Sequence, residues 1–167
     1  LYLLAKYGEW HTNQPKDLEV LKELQVISVN AELYQNAGTT IVNELAISLA
    51  HLNDYLNYLH NTNFLENKKI IHLTCSVASN FFMEIAKIRA YRSLINLIQK
   101  QYNIQLPIHI HANTSQLNKS NVDAYTNLLR TTTEGMSAII GGCNSLSVLP
   151  YNYGFTDKDS FSNRIAR

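Results

Sequence analysis

Charge is scarce in this sequence: Asp, Glu, Lys and Arg make up 16% of 167 residues, and the formal net charge is +1. A polyanion-binding surface needs clustered cations, so the balance excludes nucleic acid as a partner. A disordered tail is excluded too, because 46% of the residues are hydrophobic. No apolar run approaches the ~20 residues of a membrane span. The opening LYLLAKYGEW is too short for a signal peptide and lacks a small-residue cleavage site. An initiating methionine is missing, and the final RIAR reads as a helix just beginning, so a piece of a longer protein is expected. Cysteine is limited to Cys75 and Cys143, expected as reduced core residues of a cytoplasmic chain. Neither a GxGxxG, a P-loop nor a nucleophile elbow occurs.

What is present is regular. Pro15 to Leu24 reads as a helix after a Tyr7–Trp10 break, and QVISVN from Gln25 to Asn30 as a β-branched strand. A helix from Thr39 or Thr40 to about His60 carries Val42, Leu45, Leu49, Leu52, Leu56 and Leu59 on one seam. That seam is heptad-like, but packing on a sheet is preferred to a coiled coil. Ile70–Thr74 is the second strand, and a helix from Phe81 to about Tyr102 follows it. Phe81, Ile85, Ile88, Tyr91, Ile95 and Ile98 form its apolar face, with Glu84 and Lys87 off it. The third strand is Ile108–Ala112.

The stretch from Asn121 to Pro150 then gives a helix, a Gly141-Gly142 stop and a strand over Ser145–Leu149. Ser120 is the expected N-cap, paired with Asp123. Val122, Tyr125, Leu128 or Leu129, Thr132, Met136 and Ile139 or Ile140 recur at helical spacing as its apolar face. Strand starts near 26, 70, 108 and 145 lie 44, 38 and 37 residues apart, each interval holding one helix. Successive βα units and a parallel α/β sheet follow. They fit half of a (β/α)8 barrel or a flavodoxin-like open sheet, which periodicity alone does not separate.

Ligands of such sheets meet the loops at the carboxyl ends of the strands. Here those loops are Ala31–Gly38, Cys75–Ser79, Asn113–Lys119 and Tyr151–Asp159, polar and amide-rich with few charges. They suit a large hydrogen-bonding ligand better than a phosphate clamp. His109 and His111 share one strand face, and His72 stands on the neighbouring strand, so the three could ligate a metal. Glu32 is the one acid beside a strand end, and hydrogen-bonded pocket or core histidines are the preferred reading. Arg130, beside three threonines, is expected to pair with a loop carboxylate or carbonyl, with a ligand contact as the alternative.

Five stretches, taken together, resemble the methylmalonyl-CoA mutase family. They are NFFMEIAKIRA (Asn80–Ala90), YQNAG (Tyr34–Gly38), HANTS (His111–Ser115), LRTTTE (Leu129–Glu134) and FSNRIAR (Phe161–Arg167). Their order and approximate spacing match from about Gln25 to the last residue. The resemblance implies a (β/α)8 TIM-type barrel, with this chain covering roughly its C-terminal half. Residues 1–167 would be part of an acyl-CoA-binding barrel domain of a longer chain. The family interconverts methylmalonyl-CoA and succinyl-CoA through an adenosylcobalamin radical, with the CoA tail along the barrel axis. Its cobalamin-binding domain, with an Asp-x-His-x-x-Gly signature, is not in this sequence.

The resemblance also implies which positions should do chemistry, and there the chain departs from the family. A Tyr-His pair that contacts the substrate falls on Glu32 and Leu33. A carboxylate that contacts cobalamin falls on Asn36, and a Gln facing the corrin on Asn144. An Arg and a Ser that hold CoA fall on Ile70 and His72, while Thr114 and Ser115 are retained from the family's motif. A leucine cannot polarise a thioester carbonyl. The chain therefore resembles the small, non-catalytic subunit of a heterodimeric mutase. Its expected partner is a large catalytic subunit that binds the adenosylcobalamin, with acyl-CoA in the complex. Two rivals stay open: a catalytic acyl-CoA mutase of altered specificity, and a metal-dependent hydrolase built on His72, His109 and His111.

Overall fold

The computed structural model describes residues 24–155 and 160–167. The expected first helix, except for Leu24, lies outside them, as does the Tyr7–Trp10 break. Four strands, β1 (Val26–Asn30), β2 (Ile70–Val77), β3 (Ile108–Thr114) and β4 (Ser145–Ser147), pair in parallel in chain order. Ser28 lies opposite His72, His72 opposite His109, and His111 opposite Ser145. β2 and β3 run past the expected ends at Thr74 and Ala112. β4 stops at Ser147 instead of Leu149, where the Leu149 amide turns to the Thr114 hydroxyl at 2.8 Å.

Successive residues of a strand point to opposite faces. Ile27, Val29, Ile71, Leu73, Cys75, Val77, Ile110 and Ala112 take one face and are at most 2% exposed. Ser28, His72, Thr74, His109, His111 and Asn113 take the other and remain at least partly open. The sheet is thus covered by helices on one face and bears a polar second face.

The cover consists of α2 (Ile41–Asn61), α3 (Phe81–Gln101) and α4 (Ala124–Gly141); α1 (Glu32–Asn36) and α5 (Ser160–Ile165) are short. Thr40 caps α2 by accepting from the Asn43 amide. Leu52, Leu56 and Leu59 of its leucine seam are buried on the sheet, as the plainer reading of that seam expects. In α3, Ile88, Tyr91 and Ile95 are buried as expected, but so are Glu84 and Lys87. Their burial corrects the polar-face assignment and has an electrostatic cause given below.

α4 departs most from expectation. Its N-cap is Asp123, whose carboxylate accepts from the Tyr125 amide at 2.9 Å. The Ser120 hydroxyl instead accepts from the Val122 and Asp123 amides, a turn that precedes the helix. Gly142 closes the helix at φ 90°, in the left-handed region. The face turned to the sheet and to α3 carries Asn127, Thr131, Glu134, Gly135, Ser137, Ala138 and Gly141. The apolar stripe is on the outside: Val122 is 94% exposed, and Tyr125 and Leu129 are each 72% exposed.

Small residues on the inner face let α4 approach α3 closely. A Cβ on Gly141 would lie 3.0 Å from Ile88 Cβ, which cannot swing away. Gly141→Ala is therefore expected to cost about 1–3 kcal/mol through overpacking, read as a lower urea midpoint with an unchanged m-value.

Candidate functional site

Three polar side chains meet above the carboxyl ends of β1 and β3. Asn30 Oδ1 accepts from the Glu32 amide at 3.1 Å, which turns the chain from β1 into α1. The Glu32 carboxylate then accepts from Asn113 Nδ2 at 2.6 Å and from Asn36 Nδ2 at 3.3 Å. Beside it, Gln35 and Ser115, both buried, are joined by amide-to-hydroxyl contacts of 3.0 and 3.2 Å. These bonds tie α1 to the end of β3 across 80 residues of sequence. Leu33 sits half-buried in the same loop with no polar atom to offer.

The expected site positions are thus only partly gathered. Glu32, Leu33, Asn36 and Ser115 belong to one loop cluster. Thr114 faces the helices, and its hydroxyl oxygen accepts from the Leu149 amide. Ile70 and His72 lie on the open face, Ile70 being the first residue of β2. Asn144 is elsewhere: it precedes β4, at the amino end of the strands, and its Oδ1 accepts from Arg92 at 2.6 Å and from the Ile110 amide at 2.9 Å. Asn144, the position on which the family's corrin-facing Gln falls, is thus set apart from the loop cluster and spent on holding β3 and Arg92. Asn113 was missed as a site residue, although the alternation of His109 and His111 already put it on the open face.

The three histidines do come together, as a stack. His72 lies over His109 with ring centroids 5.3 Å apart and over His111 at 6.4 Å, with interplanar angles of 14° and 20°. Ser145 Oγ stands 2.9 Å from His109 Nε2 and 2.7 Å from His111 Nδ1, and Ser147 Oγ 3.2 Å from His111 Nε2. Face-to-face rings do not aim their nitrogens at one shared point, as metal ligands must. Among the described residues no group of three or more His, Cys, Asp or Glu is arranged to hold a metal ion. Burial, then the neighbouring His109 and His111, keep the His72 imidazole below its ordinary pKa.

Beneath the loops lies a buried ion cluster. Lys87 Nζ reaches Glu84 Oε2 at 2.7 Å, Glu44 Oε2 at 2.9 Å and the Ser76 carbonyl at 2.6 Å, with all three side chains at most 1% exposed. Burial, opposed in part by Lys87, raises Glu44 to about 7. For Lys87 burial favours the neutral amine, but Glu44 and Glu84 outweigh it and the pKa is raised. The lysine thus pins the starts of α2 and α3 to the end of β2, and so fixes the frame on which the loops stand. A second buried pair, Lys119 with Glu134 at 2.7 Å, fastens the loop after β3 to α4. Arg130 donates to the Asn118 carbonyl of that loop, the carbonyl pairing foreseen for it.

The site offers amides, hydroxyls and one carboxylate already engaged by two amides. The two positions on which the family's cobalamin contacts fall do not form a cradle. Asn36 and Asn144 lie at opposite ends of the parallel strands, and Asn144 is committed to Arg92.

The family profile described as Methylmalonyl-CoA mutase matches residues 18–167. A methylmalonyl-CoA mutase small subunit of Porphyromonas gingivalis is 42% identical over 88% of this chain and 25% of its own length. The small subunit of Propionibacterium freudenreichii is 29% identical over 98% of the chain and 26% of its own length. The large subunit from the same organism is 31% identical over 84% of the chain and 20% of its own length. The chain spans about a quarter of the small subunits it matches. With the profile covering most of the sequence and a 42% identical relative, this chain belongs to the methylmalonyl-CoA mutase family.

Proposed function

We propose that this chain is part of the small subunit of an adenosylcobalamin-dependent methylmalonyl-CoA mutase, supporting a catalytic large subunit without performing the isomerisation itself. The observation that carries the reading is the loop after β1. Leu33 stands at the position expected for the substrate-contacting histidine, and Glu32, beside it, is closed onto Asn36 and Asn113. A side chain with no polar atom cannot stabilise charge on a thioester oxygen. Ile70 and His72, in place of the CoA-holding Arg and Ser, support the same conclusion. So does the match to small subunits of two organisms.

The barrel belongs to this proposal. Strands in chain order with helices on one face fit a sheet that curls toward closure, whereas a doubly wound sheet has helices on both faces and a reversal of strand order. A polar inner face would line the bore, and the chain would supply about half of the wall. No described helix is long and apolar enough to cross a membrane, and the reading places the complex in the cytoplasm. The large subunit would bind the cobalamin.

The test uses the full-length parent of this chain with adenosylcobalamin and methylmalonyl-CoA, following succinyl-CoA with and without the large subunit. Turnover is expected only when both are present, together with a one-to-one complex on size exclusion. Turnover by the parent chain alone would overturn the reading.

A further inference from the structure

Helix α4 is patterned inside out. Its two charged residues, Arg130 and Glu134, are turned inward, Arg130 to the Asn118 carbonyl and Glu134 to Lys119 and the Asn118 amide. Its large apolar side chains are turned outward: besides Tyr125 and Leu129, Met136 is 51% exposed and Ile140 48%. These four fall at successive steps of 4, 7 and 4 residues, a stripe along the helix. Thr132 and Thr133, in the gap between Leu129 and Met136, give their hydroxyls back to their own helix. Thr132 Oγ1 donates to the Leu128 carbonyl at 2.7 Å, and Thr133 Oγ1 to the Arg130 carbonyl at 2.9 Å. With those hydroxyls satisfied, covering the face strands no polar side chain. At its amino end the stripe continues through Tyr125, which stacks on Tyr151 with centroids 5.8 Å apart.

We propose that this outward face of α4 docks on the large catalytic subunit, against the counterpart of the same helix. The inference rests on the subunit reading above and names the surface it uses. Two observations choose the occupant. α4 itself contributes no charged side chain to the face, while Arg89, 3.3 Å from the Ile140 carbonyl, and Arg167, in the groove beside Met136, stand at its edges, so it fits an apolar protein surface with a polar rim. The large subunit of Propionibacterium freudenreichii aligns with 84% of this chain, so a partner of that kind repeats these βα units. Two related chains can meet through the same patch about a pseudo-two-fold axis, in which each helix sees its own equivalent. The small threonines at mid-stripe let two helix axes approach closely there, with Leu129 and Met136 packing on either side.

The experiment uses the full-length parent chain and its large subunit. Leu129→Arg and Ile140→Lys are placed on exposed positions, so both variants should keep the thermal midpoint of the isolated chain. Each is expected to weaken the complex by roughly 30-fold or more, as loss of a central apolar anchor does. A cysteine placed at Leu129 should be labelled rapidly by a thiol reagent in the isolated chain, read by mass spectrometry of that peptide, and shielded in the complex. If the unaltered chain binds and both variants bind equally well, the surface is wrong while the subunit reading stands. If that cysteine is already shielded in the isolated chain, another segment of its own chain covers the face and the proposal fails. If the unaltered chain does not bind the large subunit at all, the subunit reading fails and this proposal with it.

Discussion

Lys87→Met in the full-length chain is expected to lower the unfolding free energy by about 3–5 kcal/mol, the usual cost of removing one partner from a buried ion cluster. The reasoning is asymmetric. Lys87 satisfies Glu44, Glu84 and the Ser76 carbonyl at once, and none of the three side chains has solvent to fall back on. Methionine fills most of the volume but leaves two carboxylates facing each other in an apolar surround. Ionised, they repel and lack hydration; protonated, they cost free energy at neutral pH. Urea denaturation reads the loss. The triple variant with Glu44→Gln and Glu84→Gln added removes the stranded charge and should recover a large part of it. If Lys87→Met alone costs less than about 1 kcal/mol, the level of an exposed pair, then the cluster is not holding the starts of α2 and α3 to β2. The account of a rigid frame beneath the Glu32 loop would fall with it.

This cluster also shows where the sequence stops being legible. Strand starts at Ile70, Ile108 and Ser145 and the helix in each interval could be read from periodicity, because β-branched runs and apolar stripes report local structure directly. Glu84 and Lys87 could not be read as core, since polarity predicts exposure unless a partner is known, and Glu44 lies about 40 residues away. The same limit reversed α4. Helical spacing identifies a stripe, yet it does not say whether the stripe meets the sheet or some other surface. Asn127, Thr131 and Glu134 won the inner face because each has a bonding partner there, in Ser120, the helix's own Asn127 carbonyl and Lys119 respectively.

The site behaved likewise. Motif resemblance located the Glu32–Asn36 loop and Ser115, whose partners come from β3 and α1. Asn144 stands apart from that cluster, because a position next to a strand in sequence can lie at either end of it. The resemblance passed over Asn113, which strand alternation places on the open face. Stacking of His72 on His109 follows from register, with those two residues directly opposite in β2 and β3. Register is a property of pairing between strands, so no single strand's sequence carries it.

The contribution of Glu44 to stability is expected to fall as pH rises from about 4.5 to about 7. Its carboxyl is raised from 4.5 to about 7 in the folded chain by burial, a cost that Lys87 offsets only in part. A group with a raised folded pKa binds its proton more tightly in the native state, so folding is favoured while that proton is on. Below the unfolded pKa both states are protonated and the contribution is complete. Between the two values the unfolded chain has lost its proton and the native chain retains it, so each pH unit removes stability. Above about 7 both are ionised and the slope vanishes. The shift corresponds to roughly 3 kcal/mol across that window. Glu134, raised by burial in the same direction, adds to the slope, while His72 and His51, both lowered by burial, oppose it in the same window, and Asp123, lowered first by its bond to Thr126 and then by the Tyr125 amide, acts at lower pH with the opposite sign. Glu44→Gln isolates the effect: glutamine keeps the shape and cannot titrate, so the variant's stability profile between pH 4.5 and 7 should be visibly flatter. Parallel profiles for the two proteins would show that Glu44 is ionised across the whole range. The cluster would then be an ion triad with a net negative charge held by Lys87 alone, and Lys87→Met would be more damaging at pH 7 than at pH 5 by no margin that Glu44 could explain.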